Sequence, residues 1–181
     1  MEKSLSLQQK IISSKTMLCA LSVAFSVALP QAFHLIGSVT PWGSSFAAAF
    51  LPMHLPILIF AFAFGSNVGL ISGVLSVLIS FCLTGMPAIS IVPFMVLELA
   101  TYGLVAGLIK DKKMPFMLKL IITMLAGRLV RIGATALAIN VFSFDTVAVS
   151  MYSLVSVSVA GIVLQLVLVP FLVKKVNLLK K

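Results

Sequence analysis

The chain has 181 residues, of which 61% are hydrophobic and only 9% are charged. A water-soluble domain of this length could not cover so much apolar surface with its few polar side chains, so the composition indicates an integral membrane protein. The formal net charge of +9 does not indicate nucleic-acid binding. The basic residues cluster at the ends of apolar runs, where lipid head groups are the nearest anions.

Apolar runs of about 20 residues, the length that crosses a bilayer, follow one another along the whole sequence. They predict an all-α integral membrane protein, a compact bundle of six transmembrane helices that forms a single domain over residues 1–181. The first run is too long for the core of a signal peptide. The predicted spans are residues 16–36, 46–64, 67–83, 88–109, 115–141 and 150–173.

The first predicted span carries Ala20, Ala24 and Ala28 at intervals of four residues, which places the three methyl groups on one helix face. We call these three residues the alanine strip. In membranes such a strip of small residues allows another helix to approach closely. The pattern fits a packing face inside the protein and a contact face for a partner protein equally well.

The uncharged loop over residues 37–45 holds Trp42, which is either an interfacial anchor or a lid residue that stacks on a ligand. In the next span His54 lies between Pro52 and Pro56. Two prolines four residues apart free backbone carbonyls and bend a helix. His54 is therefore expected either to bond those carbonyls or to face a ligand.

Small residues also mark the third span. Gly65, Gly69 and Gly73 form a doubled GxxxG pattern, which predicts a tight contact with another helix. Cys19 and Cys82 both lie within apolar runs, and they are expected to be small buried hydrophobic residues.

Ionisable residues inside the spans are few, and they mark the candidate site. Glu98 is the only acidic residue in any span, and Tyr102 follows four residues later on the same helix face. The fifth span holds Arg128 and Arg131, which also share a face. A guanidinium at this depth costs at least about 2.5 kcal/mol, so that face should meet a protein interior, a water-filled cavity or an anion.

Glu98 can neutralise one of the two arginines. We expect Arg128 to be its partner and Arg131, which lies nearer the outside, to bind an anion in an outward-facing pocket. The alternative is a structural brace in which Glu98 pairs with one arginine and the other is solvated.

Six spans place both termini and the connections between spans 2 and 3 and between spans 4 and 5 on one side of the membrane. That side carries eleven of the thirteen lysine and arginine residues. Because positive residues collect on the cytoplasmic side, both termini are predicted to be cytoplasmic, in a multi-pass protein of the plasma membrane.

Several chemistries have no matching motif. The sequence contains no Walker A loop, no HExxH, no GxSxG and no carboxylate pair suited to acid–base catalysis. We therefore expect no enzymatic activity, no metal site and no cofactor. Binding within the membrane is the activity that the sequence favours.

From Phe50 through Gly107 the sequence resembles the substrate-binding S component of energy-coupling factor (ECF) vitamin transporters. The residues that carry the resemblance are, in order, 52–56 (PMHLP), the glycines of the third span, 84–87 (TGMP), and 98–103 (ELATYG) with Gly107. The alanine strip, the chain length and the six spans fit the same family.

This resemblance implies a high-affinity membrane-embedded binding subunit for the uptake of a vitamin or vitamin precursor. In that family loops cap an outward-facing pocket, which the helices toward the C-terminus line. The alanine strip docks on a transmembrane coupling protein driven by two cytoplasmic ATPases, and the loaded subunit topples to release its cargo inside. The candidate ligand residues are Arg131, Arg128, Glu98, Tyr102, Trp42, His54 and Gln165.

The charge of the two arginines limits the kinds of ligand that the site can favour. Two buried arginines favour a small carboxylate, such as nicotinate or pantothenate, over neutral riboflavin or cationic thiamine. Two other functions stay open from the residues alone. One is a ligand-free structural scaffold or assembly factor, in which the arginines and Glu98 form an internal brace; the other is a self-contained carrier or channel.

Overall fold

The computed structural model of the chain describes residues 2–39, 50, 52–142 and 159–179. Within these residues the regular structure is entirely α-helical, as predicted. Five of the helices are long and apolar enough to span a membrane, and the second, with 11 residues, is shorter. The helices are α1 (Glu2–Ser38), α2 (His54–Phe64), α3 (Ser66–Thr84), α4 (Val92–Ile109), α5 (Phe116–Phe142) and α6 (Val159–Leu179).

The helix bounds differ from the predicted spans mainly at the ends. α1 begins well before the predicted start at residue 16, because hydropathy detects where a helix enters lipid and not where its hydrogen bonding begins. α4 begins at Val92 instead of residue 88, with Pro93 in its first turn, where a missing N–H costs nothing. Residues 46–49, 51 and 150–158 of the predicted spans lie outside the described residues.

The short helix α2 lies inside the bundle and packs against α1, α3, α4 and α6. Ile57, Leu58 and Ala61 are fully buried. Pro52 precedes this helix and Pro56 lies in its first turn, so the expected kink between the two prolines is wrong. A proline in the first turn removes no intrahelical hydrogen bond.

The glycines of the third span bring α3 and α4 into direct backbone contact, which confirms the predicted tight packing. A Cβ added to Gly69 would lie 2.4 Å from the carbonyl oxygen of Gly103, and one added to Gly73 would lie 2.4 Å from that of Leu99. At Gly65 the backbone has φ +105°, a conformation that favours glycine, and it joins α2 to α3.

The alanine strip lies on the outer surface of the bundle. α1 turns the opposite face inward, where Ser22 and Ser26 are fully buried against a bundle that includes α3. Ala20, Ala24 and Ala28 are all exposed. Within the described part of the chain, the strip is therefore not an internal packing face. Cys19 is buried as expected, whereas Cys82 is exposed, contrary to expectation.

The two ends of the bundle differ in charge. At one end Lys110 approaches Gly65, and the Lys119 ammonium donates to the Lys110 carbonyl oxygen at 2.6 Å. Lys15 lies beside Asn67 in a groove at the start of α3. We call this the basic end. The ends of α1 and α3 and the start of α4 meet at the opposite end.

Candidate ligand-binding site

A buried cluster of ionisable side chains surrounds Glu98, which is fully inaccessible to solvent. The carboxylate accepts a hydrogen bond from Arg131 Nη1 at 2.5 Å and one from the Tyr102 hydroxyl at 3.1 Å. Arg128 Nε lies 3.3 Å from the same carboxylate, and His54 Nε2 lies 3.8 Å from it. The helix spacing predicted that Glu98 and Tyr102 share one face and that Arg128 and Arg131 share another. Packing of α4 against α5 brings these two faces together.

The expectation that Arg128 alone pairs with Glu98, leaving Arg131 for an anion, is wrong in one respect. The pairing of Arg128 with Glu98 is confirmed, but Arg131 is also a partner of Glu98, and the closer one. Among the described residues, the cluster holds two cationic groups against one anionic group. A buried charge that lacks a counter-ion is costly, so this excess favours the arrival of an anion.

A cavity of about 310 Å³ lies at the end of the bundle opposite the basic end. Its volume is at the lower limit of ordinary ligand pockets, which indicates a small ligand. Of the cluster around Glu98, only Arg131 and His54 reach its wall. The lining residues are Pro30, Gln31, His34, Pro52, Met53, His54, Ser80, Met86, Pro87, Ala88, Ile91, Met95 and Arg131.

Three of the lining side chains have buried nitrogen atoms that find no hydrogen-bond partner in the described part of the chain. They are Nη2 of Arg131, both ring nitrogens of His54 and the amide nitrogen of Gln31. An unsatisfied buried donor costs about 1–3 kcal/mol. Three such groups around one cavity are consistent with a site that becomes satisfied when a ligand carrying acceptor atoms enters.

His54 does not bond the carbonyls of its own helix, so that interpretation of the Pro52–Pro56 segment is wrong. Neither ring nitrogen has a hydrogen-bond partner among the residues that the structure describes. The ring stands edge-on to Tyr102 at a centroid distance of 5.4 Å. The side chain is fully buried between Glu98 and the cavity. The other interpretation, in which His54 faces a ligand, agrees with this position.

The remaining predicted ligand residues lie away from the cavity wall or outside the described part of the chain. Trp42 is among the residues that the structure does not describe. The Tyr102 hydroxyl donates a hydrogen bond to Glu98. Arg128 lines a separate apolar groove of about 250 Å³ between α5 and α6. Gln165 is 1% exposed, and its amide has no hydrogen-bond partner within the described ranges. It does not line the 310 Å³ cavity.

Sequence reasoning missed the contribution of α1 to the cavity. Gln31 and His34 come from its last turns, directly after Pro30. Two polar side chains close to the end of an otherwise apolar run were the available signal. The signal is weak by itself, because polar side chains at a helix end commonly face the membrane interface.

The chain matches a protein-family model over most of its length. The family model described as the substrate-specific component of ECF transporters matches residues 14–173. Searches of curated proteins and of solved structures find no significant match. S components are substrate-binding proteins of transport and not enzymes, and they associate with an ECF module made of a membrane component and ATPases. The chain belongs to this family of ECF substrate-specific components, as a multi-pass protein of the plasma membrane.

Proposed function

We propose that this S component captures a small carboxylate, a vitamin or vitamin precursor such as nicotinate or pantothenate, for uptake by an ECF transporter. The site consists of the 310 Å³ cavity and the cluster behind it. Arg131 holds the ligand carboxylate, and His54 lies beside it. Glu98 fixes the position of the Arg131 guanidinium, and Tyr102 and Arg128 contact the Glu98 carboxylate.

One observation carries this proposal. Nη1 of Arg131 donates to Glu98, whereas Nη2 is buried and has no hydrogen-bond partner among the described residues. The Arg131 side chain also lines the cavity. Guanidinium groups bind carboxylates through charge-assisted hydrogen bonds, which are about twice as strong as neutral ones. A carboxylate would satisfy this nitrogen and balance the excess positive charge of the cluster.

The direct test is ligand binding by the purified protein. Native mass spectrometry of the protein as isolated should show a retained small acid. In calorimetric titrations the acid should bind at least about tenfold more tightly than its uncharged amide, a difference of about 1.4 kcal/mol. Equal affinities for acid and amide would contradict carboxylate recognition and favour the internal brace.

The proposed topology has six spans with both termini in the cytoplasm. The positions of the lysines at the basic end support this orientation by the positive-inside rule. The cavity then opens toward the outside, where a nutrient arrives. Energy for release comes from the partners, a transmembrane coupling protein and two cytoplasmic ATPases.

We further propose that the exposed alanine strip is the docking surface for the coupling protein. Ala24→Trp should abolish copurification with that protein, because an indole prevents the close approach of backbones that small residues allow. Ligand affinity should stay within about twofold of wild type, a change of less than 0.5 kcal/mol. Pull-down of the assembled transporter and titration of the isolated subunit measure the two effects.

Leu108→Trp is a matched control, because Leu108 is 59% exposed on α4, away from the strip. This variant should copurify normally. If Ala24→Trp assembles as well as Leu108→Trp, the strip is not the docking surface. If Ala24→Trp loses ligand binding but still assembles, the strip supports the ligand site instead.

A further inference from the structure

The cavity offers hydrogen-bonding groups from two different parts of the bundle. Arg131 of α5 and His54 of α2 belong to the buried cluster, whereas Gln31 and His34 come from α1. The Gln31 amide nitrogen is a neutral donor that is buried and has no hydrogen-bond partner within the described ranges. The site therefore has a charged donor for an anionic group and a separate neutral donor for an uncharged acceptor.

The rest of the wall is almost entirely apolar. In the part of the chain that the structure describes, it consists of methionine, proline, alanine and isoleucine side chains, with Ser80 as the exception. Methionine thioethers make favourable contacts with aromatic rings and adapt to a flat surface. A ligand hydroxyl placed against this wall would lose its hydrogen bonds to water without replacement. These walls suit a planar ring better than a flexible chain with several hydroxyl or amide groups.

We infer that the cavity is selective for a single-ring heteroaromatic carboxylate of the pyridine-carboxylate type. This inference rests on the proposed function and narrows its substrate class. The carboxylate binds Arg131, the ring lies among Met53, Met86 and Met95, and the ring nitrogen accepts a hydrogen bond from Gln31. Nicotinate has these features, whereas pantothenate is flexible and hydroxylated.

A comparison of three acids separates the parts of this inference. Nicotinate and benzoate have the same shape and carboxylate, but only nicotinate carries a ring nitrogen. In calorimetric titrations of the purified full chain, nicotinate should bind about tenfold more tightly than benzoate, the effect of one hydrogen bond to an otherwise unpaired buried donor. Pantothenate should bind more weakly than nicotinate.

Gln31→Leu keeps the approximate size of the side chain and removes the donor. In this variant nicotinate affinity should fall to that of benzoate, while benzoate affinity stays within about twofold of its wild-type value. Asn140→Leu is a matched control, since the Asn140 amide donates to the Ala136 carbonyl oxygen on the exposed side of α5. This control should keep the tenfold preference for nicotinate.

The possible outcomes distinguish the heteroaromatic inference from the proposed carboxylate function. Tighter binding of pantothenate than of nicotinate would overturn the heteroaromatic inference and leave the carboxylate function standing. An equal loss of affinity for nicotinate and benzoate in Gln31→Leu would also overturn the inference. The Gln31 amide would then not donate a hydrogen bond to the ring nitrogen. If no acid binds better than its amide, the proposed function fails together with this inference.

Discussion

Arg131→Ala is expected to weaken carboxylate binding by about 30-fold or more. Truncating one partner of a buried, hydrogen-bonded charge pair costs about 2–5 kcal/mol, because the remaining charge is left without its counter-ion. Arg131→Lys should recover only part of the loss, since an ammonium lacks the planar fork that can hold Glu98 and a ligand together. Calorimetric titration of each purified variant with the acid measures the effect.

The same substitution also disturbs Glu98, so the fold needs its own control. Arg128→Ala removes the second cation near Glu98, but Arg128 does not line the cavity. It should lower thermal stability by a similar amount and lower affinity much less than Arg131→Ala. The amide of the ligand, which binds weakly to wild type, should lose little further affinity in Arg131→Ala.

Two results would contradict the assigned role of Arg131. One is an equal loss of affinity in both arginine variants, which would make the whole cluster a structural brace. The other is an equal loss for the acid and the amide, which would mean that Arg131 shapes the cavity without reading charge. Glu98→Gln should reduce expression or stability more than affinity, because it leaves two arginines without a counter-ion.

Gly103→Ala is expected to prevent stable packing of α3 against α4. A Cβ on Gly103 would lie 2.1 Å from the carbonyl carbon and oxygen of Gly69, and backbone atoms cannot move aside as side-chain ends can. Overpacking of this kind costs about 3 kcal/mol. The measurement is the fraction of monodisperse protein that survives heating in detergent, together with the yield of the purified protein.

Gly133→Ala provides the matched control, because a Cβ on Gly133 meets no atom of the described residues within 4 Å. Alanine favours a helix over glycine by about 1 kcal/mol, so this variant should be as stable as wild type or slightly more stable. If Gly103→Ala and Gly133→Ala survive heating equally well, α3 and α4 do not pack as closely as the structure shows.

The sequence by itself determined those features that depend on composition and on local spacing. The excess of apolar residues set the membrane class, and the apolar runs located the helices to within a few residues at most described ends. Spacings of three and four residues placed Arg128 with Arg131 and Glu98 with Tyr102. These pairs are adjacent on any α-helix, whatever surrounds it, so no knowledge of the tertiary structure was needed.

The tertiary structure decided which helix faces meet. In the tertiary structure the short α2 lies within the bundle, and the alanine strip lies on the outer surface. Glu98 forms an ion pair with Arg131 as well as with Arg128. The tertiary structure also brings Gln31 to a cavity that Arg131 lines from another helix. Contacts between helices depend on how small and large side chains fit across the whole bundle. An apolar helix in lipid has no single hydrophobic face to reveal them, because lipid and protein interior are equally apolar.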